Sequence, residues 1–181
     1  MITFQKIRWK NFLSTGDHWS EIDFLGNTTN LVVGTNGSGK STMLDALTFS
    51  LFNKPFRKIN KSQLVNATNE KDCVVEVEFT VNNKDYLVRR SIKPNKFDIE
   101  VNGTLLHKES DDRLNQKILE ENILKVNYKS FTQIVILGSS SFVPFMQLST
   151  SNRRDVIEDL LDTVSYTHLR AHETKANLVC R

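Results

Sequence analysis

Gly34-Thr35-Asn36-Gly37-Ser38-Gly39-Lys40-Ser41 is the stretch on which the rest of the chain turns. A glycine, four residues, then Gly-Lys-Ser is the spacing of a loop that wraps a phosphate. Glycine tolerates positive φ and has no Cβ to keep backbone N–H groups away from an anion. Those donors, with the start of a following helix, make an anion site. Lys40 adds a mobile positive charge for the β- and γ-phosphates, and the Ser41 hydroxyl is a hard oxygen suited to Mg²⁺. The expected site is therefore Gly34, Asn36, Gly37, Ser38, Gly39, Lys40, Ser41 and Thr42, holding ATP with Mg²⁺ on Ser41. Lys40 and Ser41 are its expected catalytic members. Only seven glycines occur in 181 residues, and three of them fall inside these eight positions. At average glycine usage, roughly one chain in a hundred of this size would match the pattern by chance.

The flanks supply the context such a loop needs. Thr29–Val33 is a short apolar run that reads as a strand feeding into Gly34. After the loop, Met43, Leu44, Leu47, Phe49, Leu51 and Phe52 recur mostly at helical spacing, so a buried helix is expected over Lys40–Phe52. Upstream, Ile2, Phe4, Ile7 and Trp9 alternate with polar residues as a first strand, and Trp19–Phe24 reads as a second after the Asn11–Asp17 turn. Downstream, Cys73–Val81 and Tyr86–Ile92 form one hairpin. Phe97–Val101 and Thr104–His107, joined by Asn102-Gly103, form another. Ser110 is placed to cap a helix running to about Asn122, Phe131–Leu137 reads as a further apolar strand, and a helix opens at Ser151 with Val156, Ile157, Leu160 and Leu161 on one face.

Hydrolysis requires more than the loop: an acid on a neighbouring strand for Mg²⁺ and a group that orients water. Four apolar residues followed by Asp-Glu would mark that strand. Val74-Val75-Glu76 is too short, and Leu160-Leu161-Asp162 falls on an expected helix. The catalytic machinery is thus expected to be incomplete within these residues.

Composition narrows the class. With 24 basic and 21 acidic residues, a net charge of +3, and 39% hydrophobic residues, the chain reads as an ordinary soluble globular protein. No apolar run reaches the roughly 18–20 residues of a membrane helix, and the first ten residues lack a signal-peptide core. Two cysteines, Cys73 and Cys180, provide neither a disulfide framework nor a four-ligand zinc site, which suits a reducing, cytoplasmic setting. Ser165–Arg181 changes character: it holds two of the four His and shows no clear period. It reads as a non-native tail outside the fold.

Lys10-Asn11-Phe12, the Asn-Gly-Ser-Gly-Lys-Ser loop and Thr42–Leu47 resemble the SMC-like branch of ABC-type ATPases. Leu51–Arg57 and Ile136–Thr150 are more specific still. They resemble the family of large ATPase subunits of T4-type phage recombination endonucleases, relatives of bacterial SbcC and of the radiation-repair ATPase that partners the Mre-type nuclease. The resemblance covers Met1 to about Val164. It implies an α/β, P-loop NTPase fold: the N-terminal lobe, residues 1–164, of an SMC-like ABC-type ATPase head with an antiparallel β-hairpin region at 73–107. A coiled-coil helix would start at about 151–164. It further implies Mg-dependent ATPase activity in a nuclease complex within the host cytoplasm, gating an Mre-type nuclease on DNA. The remaining partners would be the protein's own C-terminal lobe and a second copy of the head, with no membrane involved. On this reading the chain alone turns over little ATP. An SMC- or RecF-like DNA clamp without a nuclease is the other reading. Two positions depart from the family pattern. Leu13 stands where many relatives have an arginine near the phosphate, and Ser139 where relatives have a γ-phosphate-sensing glutamine and where Mg²⁺ contact would fall.

Lys54, Arg57, Lys58 and Lys61 make a basic run that either meets DNA phosphate or simply solvates a loop. Arg89 and Arg90, adjacent on a strand, must face opposite sides of it. His18 and His107 lack partners at metal-ligand spacing.

Overall fold

A computed structural model describes residues 2–27, 29–106, 112–136 and 145–161. Ser139, His107, Ser110 and the segment from Ser165 lie outside the described residues. Internal contacts divide the chain into two units, Met1–Leu124 and Lys125–Arg181.

The first unit is built on six antiparallel strands: β1 (Ile2–Lys10), β2 (Ser20–Asp23), β3 (Cys73–Val81), β4 (Lys84–Ile92), β5 (Lys96–Val101) and β6 (Thr104–Leu105). They lie in the order β2-β1-β3-β4-β5-β6. The two hairpins follow from their turns. Asn82 and Asn83 sit at φ of 49° and 62°, and Asn102 and Gly103 at 50° and 77°. Two consecutive left-handed residues make the turn whose twist matches antiparallel strands, and Asn and Gly bear it most cheaply. The β3–β4 loop is thus two residues long, shorter than the four-residue separation read from the sequence.

Alternation assigns the sheet faces. Ile7, Trp9, Val75, Val77, Phe79, Val88, Phe97 and Ile99 are buried on the inner face, in register across the strands. Against that face lies α1 (Thr42–Phe52). Ala46, Leu47, Phe49, Leu51 and Phe52 are buried, and so are Asp45, Thr48 and Ser50. A helix covered this completely must satisfy its polar side chains internally. The Thr48 hydroxyl donates to Leu44 O (3.0 Å) and the Ser50 hydroxyl to Leu47 O (2.9 Å). The helix ends because Asn53 turns left-handed (φ 57°) and its N–H closes on Phe49 O. On the outer face, Glu76 is 3% exposed and accepts from Nε of both Arg8 and Arg89. A short helix α2 (Asp112–Lys117) continues as π-type turns over Ile118–Leu124, burying Leu119, Ile123 and Leu124.

The second unit holds α3 (Tyr128–Ile134) and α4 (Thr150–Leu161). Lys129 links them through Asp155 at 3.7 Å, and Val156 is buried.

Two expected strands do not form. Phe131–Ile134 lies in the helix α3 instead, because Asn127 caps it by accepting the Ser130 N–H at 3.0 Å, and Leu137 lies outside the described residues. Its apolar residues Phe131, Ile134 and Val135 stand at helical rather than alternating spacing. Thr29–Val33 is irregular, with Leu31 88% and Val33 81% exposed. A strand exists only by pairing, and among the described residues no sheet edge meets this run.

Cys73, at the start of β3, is fully buried, with Sγ 3.9 Å from Leu64 O. Burial pushes its thiol up to about 12 from 9.0. The raised value means its contribution to stability is intact below pH 9 and is lost as pH rises toward 12. In a Cys180→Ser variant, labelling of the native protein by a thiol reagent should run at least about 100-fold slower than labelling of the unfolded chain. Rapid stoichiometric labelling under native conditions would show that the β3 end opens readily.

Candidate functional site

The glycine loop turns as its composition demands. Gly37 and Gly39 adopt φ of 86° and 91°, where an L side chain is strained. Gly34 is closely approached: a Cβ there would lie 2.5 Å from Ser38 Oγ and 3.3 Å from Ser38 Cβ, so the serine would have to turn aside. Two turns shape the loop, Ser38 N–H to Thr35 O at 3.2 Å and Thr42 N–H to Gly39 O at 2.9 Å. Among the described residues, no acceptor meets the N–H groups of Gly37, Gly39, Lys40 and Ser41. They stand at the start of α1, where the helix dipole favours negative charge.

Lys40 folds back over the loop, with Nζ donating to Gly34 O at 2.6 Å and to Thr35 O at 2.7 Å. Its charge is thereby held at the rim of the cradle. Ser41 occupies the N-cap position of α1 but its hydroxyl does not cap the helix. An exposed serine oxygen that leaves its own helix uncapped is available to a hard cation. Thr42, by contrast, is buried as the first residue of the helix. The donor set, the conformation and the hydroxyl fit a nucleotide phosphate with Mg²⁺.

The loop forms one wall of a cleft of about 580 Å³. Asn36, Gly37, Gly39, Lys40, Ser41 and Thr42 line the phosphate side. Opposite stand Leu13 and Ser14 from the β1–β2 turn, and Arg57, Ile59, Gln63, Val65 and Ala67 from the segment after α1. Two backbone bonds lock these distant pieces together: Leu13 N–H to Leu64 O at 2.7 Å and Asn66 N–H to Asn11 O at 2.9 Å. The Asn66 side chain donates to Leu13 O and Thr15 O while accepting from the N–H groups of Thr68 and Asn69. Asn69 Nδ2 in turn donates to Asn11 Oδ1 at 2.6 Å. Buried asparagines here replace a regular sheet ladder. The result is an apolar wall of Leu13, Ile59, Val65 and Ala67 on this side of the cleft. Leu13 itself sits at φ 53°, a costly conformation for leucine that such sites often contain.

Arg57 enters this cleft by way of α1. Its backbone N–H donates to Asp45 Oδ1 (2.9 Å), Nε donates to Oδ2 (2.6 Å), and Nη2 stands 2.5 Å from Oδ2. Asp45 is fully buried in the first turn of the helix. The basic run is therefore not one uniform surface. Arg57 points into the cleft, and Lys61 donates to Asn95 Oδ1 with its ammonium 5.9 Å from the Phe49 ring. Burial, with Arg90 nearby, lowers the Lys61 pKa.

Thus the structure brings the loop residues together as the spacing requires. Leu13 enters the same cleft, and the roles of Arg57, Val65 and Ala67 were not visible in the sequence. In the sequence, Asn66 and Asn69 are the signal that could have marked a turned segment there. Gln133 lies on α3, and its buried Oε1 has no hydrogen-bond partner among the described residues. Ser139 lies outside the described residues.

The sequence pattern of the family described as the AAA domain matches residues 6–176. The chain is 43% identical over 157 residues to "Exonuclease subunit 2" of Enterobacteria phage T4, covering 87% of this chain and 28% of that protein. It is 26% identical over 164 residues to "DNA double-strand break repair Rad50 ATPase" of Thermoplasma volcanium, covering 87% of this chain and 18% of that protein. In structure it resembles the Smc head domain with an extended coiled coil from Pyrococcus furiosus. That likeness has a TM-score of 0.68 at 21% identity and covers 97% of this chain and 46% of that one. The chain therefore spans well under a third of the length of the curated relatives it matches.

Proposed function

The chain belongs to the AAA domain family and has the α/β fold of the N-terminal lobe of an SMC-like ATPase head; on that premise we propose that it binds Mg-ATP in the Gly34–Ser41 cleft. It does so as part of the ATPase subunit of a DNA-break or recombination nuclease complex. The observation that carries the first half is the loop itself: N–H groups at Gly37, Gly39, Lys40 and Ser41 that meet no acceptor among the described residues, over a helix start, with Lys40 Nζ at the rim and a Ser41 hydroxyl that does not cap its helix. The names of the relatives, an exonuclease subunit and a double-strand-break repair ATPase, support the second half.

In this site the backbone N–H groups receive the β-phosphate, and Lys40 exchanges its carbonyl partners for phosphate oxygen. Ser41 offers Mg²⁺ a ligand, and the wall of Leu13, Val65 and Ala67 takes the base. Mg²⁺ supplies charge neutralisation of the phosphates when bound. Asn36, Ser38 and Thr42 shape the cradle, and Ser139 remains a proposed outer contact to the ion. Turnover needs acids outside the described residues, which a C-terminal lobe would bring. The exposed Leu31–Val33 run fits a strand that pairs with that lobe. In the assembled protein, nucleotide binding would clamp two heads around DNA and gate an Mre-type nuclease in the host cytoplasm.

Titration of the purified chain with a fluorescent ATP analogue, alongside a phosphate-release assay, tests this. Saturable, Mg-dependent binding without sustained turnover is the expected result. Absence of binding at millimolar nucleotide would end the nucleotide reading, and vigorous turnover lost in Lys40→Ala would end the claim that catalysis needs a further lobe. Copurification of the full-length protein with a nuclease subunit separates this assignment from a DNA clamp that works alone.

A further inference from the structure

The end of α1 away from the phosphate loop carries a polar assembly that the nucleotide cleft does not explain. Arg90 on β4 is 4% exposed, and its guanidinium stands 3.6 Å from the Phe97 ring centroid. Nε donates to Ser50 O at 3.0 Å and Nη2 to Gln116 Oε1 at 2.6 Å. Gln116, on α2, donates through Nε2 to Leu51 O at 2.9 Å and to Glu120 Oε1 at 2.5 Å.

Ser50 and Leu51 belong to the last turn of α1, whose carbonyls no helical N–H can reach. A strand and a second helix thus take two successive orphan carbonyls of one helix. A cation is favoured at that end by the helix dipole, yet this one is dearly held. Burial pushes Arg90 down to about 9, although Asp112 and Glu120 pull the other way. Among the described residues no carboxylate lies within ion-pair distance of it. Ordinary packing would be served as well by an apolar side chain. A buried cation bonded forward to a carbonyl and sideways to an amide instead fixes one arrangement of three elements.

The elements concerned make that arrangement matter. α1 is an 11-residue helix, a rod of roughly 16 Å, buried along its length, with the phosphate loop at its other end. Sliding or rotating such a rod displaces the amides of Gly37–Ser41 with it. We propose that Arg90 is a positioning residue: with Gln116 it clamps the C-terminal end of α1 and so sets the phosphate-binding geometry of the loop. This inference rests on the nucleotide reading above. Adjacent Arg89 points to the opposite face and pairs with Glu76, so β4 is held from both sides, and of the two arginines it is Arg90 that bonds to the helix. By reciprocity, nucleotide in the loop tightens the clamp.

The test uses the full chain and a fluorescent ATP analogue with Mg²⁺, read as affinity, thermal midpoint and backbone hydrogen exchange. Arg90→Lys and Gln116→Ala are expected to weaken binding by about five- to twentyfold. Arg89→Gln lowers the thermal midpoint and leaves affinity unchanged. Nucleotide should slow exchange at Ser50–Asn53 in the unaltered chain, and that protection should vanish in Gln116→Ala. Should Arg90→Lys fail to fold, Gln116→Ala decides alone, since it keeps the buried cation. Unchanged affinity in Gln116→Ala, or affinity that merely follows the thermal midpoint across all three variants, overturns the clamp and leaves the nucleotide reading standing. Failure of the unaltered chain to bind nucleotide removes both.

Discussion

Lys40→Ala should weaken Mg-ATP binding about 100-fold and leave the fold intact. The two effects separate because of where the ammonium spends its bonds. Its partners, Gly34 O and Thr35 O, belong to exposed loop residues, so water replaces the lost donors at little cost. Against a triphosphate the same ammonium makes charge-assisted bonds worth about 3 kcal/mol. Arg57, the other cation lining the cleft, is already committed to Asp45. A fluorescent-nucleotide titration paired with a thermal melt reads both quantities. An affinity that stays within error of the unaltered chain would mean that Lys40 keeps its carbonyl partners and never reaches phosphate.

The legible part of the site was the part encoded locally. Positive φ at Gly37 and Gly39 is a demand on single residues, and glycine answers it within the loop. The hairpins were equally readable, because Asn82-Asn83 and Asn102-Gly103 carry the turn conformation themselves. What escaped was whatever depends on a distant partner. Arg57 read as one of four cations that either met DNA or solvated a loop, until Asp45, twelve residues earlier and buried, claimed it. Val65 and Ala67 became a wall only through bonds to Leu13 and Asn11, across more than fifty residues. Arg90 read as a coin-toss between two faces of β4, and nothing local said that its face held the end of α1. The two strand expectations failed for opposite reasons. Phe131–Leu137 hid a cap at Asn127 and helical spacing, both of which were present in the sequence. Thr29–Val33 has strand composition and among the described residues lacks an edge to pair with, which no local pattern reveals.

Arg57→Ala should destabilise the chain more than Asp45→Ala, although Arg57 is the more exposed partner. Arg57 is 43% exposed at its side chain and Asp45 is fully buried. Removing Asp45 frees a guanidinium that turns outward into water, at the cost of a small cavity and a lost N–H acceptor, about 1–2 kcal/mol. Removing Arg57 strands a carboxylate inside the first turn of α1 with one backbone donor, Arg57's own N–H position at 2.9 Å, left to satisfy it. An uncompensated buried charge of that kind costs about 3 kcal/mol or more, which in a chain of this size lowers the melting temperature by about 10 °C. The double variant Asp45→Ala/Arg57→Ala should then recover part of the loss, because the stranded charge is gone. Arg57→Lys should rescue incompletely, since a single ammonium cannot reproduce the two-pronged contact of Nε and Nη2. Denaturant unfolding of the four variants gives the comparison directly. If Asp45→Ala is the worse single substitution, or the double variant is no better than Arg57→Ala, then the pair is held by its surface geometry and burial of Asp45 is not what binds Arg57 into the cleft.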